Sequence, residues 1–231
     1  MTRLPLYLKI SELLHREIAA GHWLPGERLP PESQLADDLG VAVGTLRKAL
    51  AALEEEGLLE RRQGSGTYVQ RAPTGTAIYH FFRLELLTGG GMPSADVVSL
   101  TQRQCDEVSA KLADNPQQHW EVRRLRYLNN QAVAAEQICF SAQLNRELKQ
   151  SDLHESLYEH YRESFGFWIA RVEDKISCEV APAWVAELLQ LPENTSCVRV
   201  DRRSFSNLDR VEEFSMTWFD PARCCYTARW S

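Results

Sequence analysis

Long apolar segments are missing from this 231-residue chain: no run of about 18 or more apolar residues occurs, so no segment suits a membrane-spanning helix. The opening stretch MTRLPLYLKI also lacks the charged start and apolar core of an export signal. Six cysteines are present, but their spacing matches neither a metal-ligand pattern nor a small disulfide-rich domain. We therefore expect a reduced, cytoplasmic protein that needs no metal or other cofactor.

An excess of positive charge is missing too. The chain has 26 Lys and Arg against 32 Asp and Glu, which gives a formal net charge of −6. Residues 1–71 contain nine basic and ten acidic residues, although a domain that binds nucleic acid usually has a basic excess. Any contact with DNA must therefore rely on local basic patches, and we expect weak, salt-sensitive non-specific binding.

Residues 29–69 have the most informative pattern. The segment 44–56 is helical in pattern, with four apolar residues on one face: Leu46, Ala49, Leu50 and Leu53. Gly57 is suited to end this helix. Strand patterns at 58–61 and 67–69 then flank the turn 63–66, whose glycines suit a hairpin tip. Two helices followed by such a ribbon are typical of a winged helix-turn-helix, which places a helix in a DNA groove.

Four stretches in this order resemble the N-terminal domain of the GntR family of bacterial transcription regulators: PLYLKISELLHREIAAG, WLPGERLPPES, GTLRKALAALEEEGLLERR and QGSGTYV. An ordinary helical domain used for protein contacts would not account for so many turn and apolar positions in one order. We expect a GntR-type DNA-binding domain over residues 1–70, followed by a linker at 71–77.

The resemblance implies six residues that contact double-stranded DNA: Ser33, Thr45, Arg47, Lys48, Arg62 and Gly64. Arg47 is the strongest candidate for a base or phosphate contact, whereas Lys48 is either a phosphate partner or a solvated helix residue. Gly64 allows the wing backbone to approach the minor groove. Many relatives carry guanine-reading arginines where this chain has Val43 and Ser33, so we expect an unusual operator that depends more on DNA shape or methyl contacts.

The pattern changes to alternating residues beyond position 77. Strands are predicted at 77–87, 97–102, 120–128, 132–140, 168–179, 197–206 and 210–219, with helices at 107–112, 153–161 and 182–190. Mostly antiparallel strands with a few short helices imply an α+β fold.

This second half carries GGMPSA, RRLRYL, AAEQICF, the triplet 156–158 and VEEFSMTWF, and it resembles the UTRA domain. UTRA is the effector-binding domain of the HutC subgroup of GntR regulators, and its fold is similar to that of chorismate lyase. The resemblance implies a chorismate-lyase-like domain with an antiparallel sheet, which we expect over residues 78–231. It also implies an effector pocket lined by eight residues: Ser94, Arg124, Arg126, Glu136, Ser156, Tyr158, Glu213 and Phe219.

The residue types in this set suit an anion. Arg124 and Arg126 alternate on one strand face, where both guanidinium groups can meet one phosphate or carboxylate; a solvent-facing basic strand is the alternative. Ser156 opens a helix whose N–H groups favour an anion, or it is only a helix cap.

The remaining residues in the set are less specific. Ser94 is expected in a glycine loop that closes over the ligand, and Tyr158 adds a hydroxyl group. Glu136 and Glu213 either accept hydrogen bonds from hydroxyl or amine groups or are surface glutamates. Phe219 stands where relatives often have tyrosine, so one hydroxyl group is lost.

The sequence therefore predicts a transcription regulator: a repressor that binds a palindromic operator as a homodimer and is controlled by a small anionic metabolite, either a phosphorylated sugar or a carboxylate. No catalytic residues are predicted, and His154 and His160 are spaced too poorly to suggest a metal. Two alternatives stay open: a DNA-binding regulator with a vestigial pocket, and a lyase-like enzyme, for which an acid/base signature is missing.

Overall fold

A computed structural model describes residues 4–19, 22–70, 81–104 and 106–228, and the chain divides into two compact units. The first unit spans Leu4–Phe82 together with Thr88–Pro93, and the second spans Arg83–Leu87 together with Ser94–Ser231. The linker predicted at 71–77 lies outside the described residues. No helix in the described part of the chain is long and apolar enough to cross a membrane.

The first unit is a winged helix-turn-helix, as predicted. Its three helices are α1 (Leu6–Ala19), α2 (Glu32–Asp38) and α3 (Val43–Glu55). They are followed by β1 (Leu59–Arg62) and β2 (Gly66–Val69), which pair antiparallel to form the wing.

Burial of one face of α3 holds this unit together. The four apolar residues predicted to share that face are all buried, and they belong to one core with Ile10 and Leu14 of α1. Each leucine or isoleucine buried in this way stabilises the fold by roughly 1.5–3 kcal/mol. Gly57 ends α3 with a φ of 75°, and Leu58 then donates its N–H to the carbonyl of Leu53 at 2.9 Å, a helix-ending bond that turns the chain into β1.

A six-stranded sheet in the order β4-β5-β6-β9-β8-β7 forms the centre of the second unit. Five of these strands are joined by antiparallel pairs, and the short strands β3 and β10 form a separate antiparallel ribbon. The strands are β3 (Leu84–Leu86), β4 (Pro93–Arg103), β5 (His119–Leu128), β6 (Gln131–Ser141), β7 (Ile169–Val180), β8 (Ser196–Ser206), β9 (Val211–Phe219) and β10 (Cys224–Tyr226). The helices are α4 (Asp106–Ser109), α5 (Leu157–His160) and α6 (Ala183–Leu189), with a 3-10 turn at Gln150–Asp152 and a π-helical turn at Tyr161–Phe165.

The α+β prediction is confirmed, but several segments differ from it. The helix predicted at 107–112 is limited to Asp106–Ser109, and the strand Cys224–Tyr226 was not among the predicted elements. The strand predicted at 77–87 is limited to Leu84–Leu86 among the described residues. The strand predicted at 97–102 already begins at Pro93, because proline is tolerated as the first residue of a strand. The helix predicted at 153–161 is reduced to α5, because the side chain of Ser156 caps it and a π-helical turn follows.

The two faces of the sheet have different roles. Side chains directly opposite each other on paired strands lie on the same face. One face is covered by α6, whose Val185 and Leu189 pack against Ala135 of β6 and Trp218 of β9. The other face carries polar and charged residues of β5, β6, β8 and β9, and most of them are buried.

Candidate DNA-binding and effector-binding sites

The N-terminal halves of α2 and α3 carry four of the six predicted DNA contacts. Arg47 and Lys48 are exposed on α3, Thr45 is half-buried beside them, and Ser33 is exposed on α2. The extended residue Ala42 precedes α3 without a capping side chain, so the first N–H groups of that helix have no side-chain cap. Backbone N–H groups at the start of a helix favour an anion such as phosphate.

Glu32 connects the recognition helix to the wing. Its two carboxylate oxygens accept a hydrogen bond from Arg47 Nε at 2.6 Å and one from Arg61 Nη2 at 2.7 Å. Both arginine side chains are about half exposed or more, at 64% and 48%. Neither Glu32 nor Arg61 was predicted as a site residue, because they are 29 positions apart and meet only through the fold.

The wing contributes a second basic group. Arg62 donates to Glu60 at 2.9 Å, and its guanidinium carbon lies 4.4 Å from the centre of the Tyr68 ring. Gly64 at the exposed tip has a φ of 72°, a conformation that favours glycine, and a Cβ at this position would meet nothing within 4 Å. The positive φ, and not a lack of space, favours glycine here, and the approach of the backbone to the minor groove stays a prediction.

A buried ion pair stands at the centre of the polar sheet face. Arg124 lies directly opposite Glu136, and its Nε and Nη2 donate to one carboxylate oxygen at 3.1 and 2.7 Å. Arg124 Nη1 also donates to the carbonyl of Glu155 at 3.1 Å. Arg126 Nε lies 3.7 Å from the other oxygen of Glu136. Burial alone would raise the pKa of Glu136, but the charges of Arg126 and Arg124 outweigh burial and lower the pKa.

Glu213 is the centre of a second buried group. Its carboxylate accepts hydrogen bonds from Tyr161 Oη at 2.7 Å and Ser204 Oγ at 3.0 Å, and Ser204 is also hydrogen-bonded to Tyr158 Oη at 2.9 Å. Burial raises the pKa of Glu213, and these hydrogen bonds and the arginine charges offset the rise only in part. Tyr161 and Ser204 were not predicted as site residues. Their roles depend on contacts with Glu213, which is 52 positions from Tyr161 and nine positions from Ser204 in the chain.

A third arginine on the same face was also not predicted. Arg202 makes a two-point contact with Asp174, with both N···O distances at 2.7 Å, and Tyr226 donates its hydroxyl group to Asp174 as well. Register places Arg202 on the polar face, because it lies opposite Ser215, two residues from Glu213 on β9. Counted fully ionised, the residues named here for this face are three arginines (Arg124, Arg126 and Arg202) and three carboxylates (Glu136, Glu213 and Asp174). Each proton taken up by Glu213 therefore makes the face more positive.

The sheet register brings most of the predicted effector residues together. Glu136 faces Arg124 across β5 and β6, and Phe219 shares that face because Ala134 lies opposite both Arg126 and Phe219. Tyr158 reaches the group through Ser204. The alternative that Glu136 and Glu213 are surface glutamates does not hold, since the two residues are 8% and 2% exposed.

Ser94 is placed differently from expectation, and Ser156 takes one of its two predicted roles. Ser94 lies in β4, one strand beyond Arg124, rather than in a glycine loop, and it is half-buried. Ser156 accepts a hydrogen bond from the backbone N–H of Glu159 at 3.3 Å, so it caps α5. The structure thus supports the cap role that the sequence left open.

His154 and His160 lie closer together than their spacing suggested. His154 precedes α5 and folds back on it, so that the centres of the two rings are 5.2 Å apart. In the part of the chain that the structure describes, no group of three or more His, Cys, Asp or Glu side chains is arranged to hold a metal.

A winged helix with exposed arginines, joined in one chain to a sheet domain with a charged, buried face, defines a DNA-binding regulator of the ligand-sensing type. Comparison with known families agrees with this class. Residues 6–69 match "Bacterial regulatory proteins, gntR family" and residues 88–224 match "UTRA domain". The chain belongs to the GntR family of transcription regulators, in its HutC-type group with a UTRA domain.

Individual relatives extend over almost the whole chain. The HTH-type transcriptional regulator SmoD of Agrobacterium fabrum is 41% identical, over 98% of this chain and 96% of SmoD. The mannosyl-D-glycerate transport/metabolism system repressor MngR of Escherichia coli is 29% identical, over 94% of this chain and 92% of MngR.

The crystal structure of the possible transcriptional regulator YydK from Bacillus subtilis covers 99% of this chain and 100% of its own, with a TM-score of 0.58 and 18% identity, which supports the fold alone. Because these relatives are regulators, this chain is a DNA-binding transcriptional regulator and not a lyase-like enzyme.

Proposed function

We propose that this regulator is a repressor that binds a palindromic operator as a homodimer and releases it when a small anionic metabolite binds the polar sheet face. The observation that carries the effector part is the convergence of Arg124 and Arg126 on Glu136 inside a buried face. Two guanidinium groups on one side of a sheet suit a phosphate or a carboxylate, because each can donate two parallel hydrogen bonds.

Glu136 and Glu213 give this face a second type of recognition. Carboxylate oxygens accept hydrogen bonds, so a ligand that carries both an anionic group and hydroxyl groups suits the face better than inorganic phosphate alone. A phosphorylated sugar and a sugar acid both meet this requirement. One relative is named for a mannosyl-D-glycerate system, and glycerate carries a carboxylate, which supports this class of ligand.

The repressor part is supported by the relatives and by the wing. MngR is named a repressor, and the match extends over 94% of this chain and 92% of MngR. Arg47, Lys48 and Arg62, which the sequence predicts to contact DNA, are exposed. An effector needs to favour the released state by only about 1–3 kcal/mol to change operator occupancy usefully.

The first experiment is selection of bound genomic fragments by the purified full-length protein, with Arg47→Ala as the variant. We expect enrichment of one palindrome and its loss in the variant. Operator affinity is then measured with sugar phosphates, sugar acids and neutral sugars. We expect an anionic sugar to release the normal protein from its operator. This release should be lost in Arg124→Ala and kept in Arg203→Ala. If no anionic ligand changes the operator affinity, a regulator with a vestigial pocket would be favoured.

A further inference from the structure

Arg202 lies on the polar face of the sheet, among the residues that the sequence predicts to bind the effector. The hydroxyl group of Tyr158 is hydrogen-bonded to its side chain. The side chain of Arg202 is 15% exposed, whereas those of Arg124 and Arg126 are 7% and 3% exposed. Of the three arginines named for this face, Arg202 is therefore the easiest for a ligand to reach.

Side chains from two other strands hold Arg202 in place. Its Nε and Nη2 each donate to an oxygen of Asp174 on β7 at 2.7 Å, and Tyr226 on β10 donates its hydroxyl group to the same carboxylate. Burial would raise the pKa of Asp174, but the contacts with Arg202 and Tyr226 lower it. A guanidinium group has five N–H donors, and the contact with Asp174 uses one edge of it. The rest of the group can donate to an anionic oxygen beside Tyr158.

The charge of Arg202 also acts on both glutamates of the face. Burial would raise the pKa of Glu136, and Arg202 is among the arginines whose charges lower it. Burial raises the pKa of Glu213, and the charge of Arg202 opposes that rise. Arg202 and Asp174 therefore belong to the same charged group as the predicted effector residues, and they are not a separate surface ion pair.

The sheet register separates Arg202 from the two arginines of β5. Arg124 lies in one row with Glu136, Thr217 and Val200, and Arg202 lies two residues from Val200 on β8. Neighbouring strands are about 4.8 Å apart, so β5 and β8 are about 14 Å apart. One phosphate group is too small to contact both ends of this row. A sugar with an anionic group at each end, and a hydrogen bond of about 3 Å beyond each group, fits the distance.

We infer that Arg202 is a third anion-binding residue of the proposed effector site, and that Asp174 and Tyr226 are positioning residues that hold it. The arginines of β5 bind one anionic group of the effector, and Arg202 with Tyr158 binds a second. The effector class is therefore a sugar derivative with an anionic group at each end, such as a phosphorylated sugar acid. This inference rests on the proposed function, since it needs an effector site on this face.

Three probes distinguish the two ends of the site. Phosphogluconate with its phosphate on the terminal carbon carries an anionic group at each end. Glucose phosphorylated on the same carbon keeps the phosphate alone, and gluconate keeps the carboxylate alone. In calorimetric titration of the full-length protein, we expect phosphogluconate to bind at least about tenfold more tightly than either single-anion probe, because it gains charge-assisted hydrogen bonds at the second end.

A double variant removes the second end without leaving a buried charge unpaired. Arg202→Gln/Asp174→Asn replaces the ion pair by two amides that can hydrogen-bond to each other. We expect it to reduce the affinity for phosphogluconate to that of the tighter single-anion probe, a loss of at least about tenfold. The affinity for that single-anion probe should change by less than about threefold.

The opposite face of β8 provides a matched control. Arg199 Nε donates to Asp201 at 2.6 Å, and Arg199 lies opposite Trp218, which packs against α6. Arg199→Gln/Asp201→Asn therefore makes the same change of charge on the same strand, away from the proposed site. We expect this control to bind all three probes like the normal protein.

Tyr226→Phe tests the positioning role by itself, because it removes only the hydroxyl group that donates to Asp174. We expect phosphogluconate to bind about threefold or more weakly, while the tighter single-anion probe binds as before. A purely structural role would instead weaken all probes alike. Circular dichroism and thermal unfolding check that each variant is folded.

Phosphogluconate that binds no more tightly than a single-anion probe would overturn the inference, as would equal weakening of all probes in Arg202→Gln/Asp174→Asn. If Arg124→Ala abolishes binding of the tighter single-anion probe while the double variant changes nothing, the inference fails and the proposed function stands. If the normal protein binds none of the probes, the inference is overturned, and the operator measurements with other anions still decide the proposed function.

Discussion

Glu32 and Arg47 are 15 positions apart in the chain, and a 2.6 Å hydrogen bond joins the start of α2 to the recognition helix. The same carboxylate holds Arg61 of the wing at 2.7 Å. One acidic side chain therefore orients two arginines of the DNA-binding surface. Because all three side chains are at least a quarter exposed, we expect this bridge to affect DNA binding more than the stability of the domain.

Glu32→Gln is expected to increase affinity for non-specific DNA and to reduce discrimination in favour of the operator. The substitution removes one negative charge near the phosphates and loosens the orientation of Arg47 and Arg61. Fluorescence anisotropy with operator and scrambled duplexes at several salt concentrations measures both effects. Glu55→Gln, which makes the same charge change at an exposed position at the far end of α3, is the control. An equal change in both variants would show that net charge alone is responsible.

Arg47→Ala is expected to weaken operator binding by about 1–3 kcal/mol if the guanidinium group reads a base, and to relax sequence preference at one position. If Arg47 contacts only phosphate, all sequences lose affinity about equally and the salt slope falls by about one. Titrations against single-base operator variants distinguish the two outcomes. An unchanged affinity for every duplex would exclude Arg47 from the interface. Arg162→Ala, an exposed arginine of the second unit, is the control.

Arg124→Ala is expected to lower the free energy of unfolding by about 3–5 kcal/mol, because it leaves the carboxylate of Glu136 buried without its main partner. The double variant Arg124→Ala/Glu136→Ala should lose less than the sum of the two single variants, since it removes both charges. Urea unfolding of the four proteins measures the coupling. Strictly additive losses would mean that the pair does not interact as its geometry indicates.

Glu136 and Glu213 are expected to affect stability in opposite directions as pH changes. The lowered pKa of Glu136 adds stability that is present above its unfolded pKa and is lost as pH falls through the folded pKa. The raised pKa of Glu213 adds stability that is present below its unfolded pKa and is lost as pH rises through the folded pKa. Relative to the normal protein, Glu213→Gln should gain stability as pH rises, whereas Glu136→Gln should lose it. Unfolding midpoints of both variants and the normal protein, measured across the acidic pH range, test this prediction. The prediction would be contradicted if the stability of both variants, relative to the normal protein, changed in the same direction with pH.

The sequence by itself determined the local structure of the first unit. The spacing of Leu46, Ala49 and Leu53 determines which face of α3 is buried, and Gly57 ends the helix. Both features were predictable because they depend on residues only a few positions apart. Most strands of the second unit were also predictable, because apolar and polar residues alternate along them. The predicted bounds were least accurate for the strand Leu84–Leu86 and for α5. There, short apolar runs do not distinguish strand, turn and helix.

Only the tertiary structure decided which side chains meet. The strand pattern placed Arg124 and Arg126 on one face, but their partner Glu136 and the third arginine, Arg202, joined that face through sheet register. Register depends on pairing between strands that are separate in the chain. Register likewise left β7 at the edge of the sheet. Contacts of this kind follow from the packing of the whole fold, because no spacing within a single segment specifies which strand becomes its neighbour.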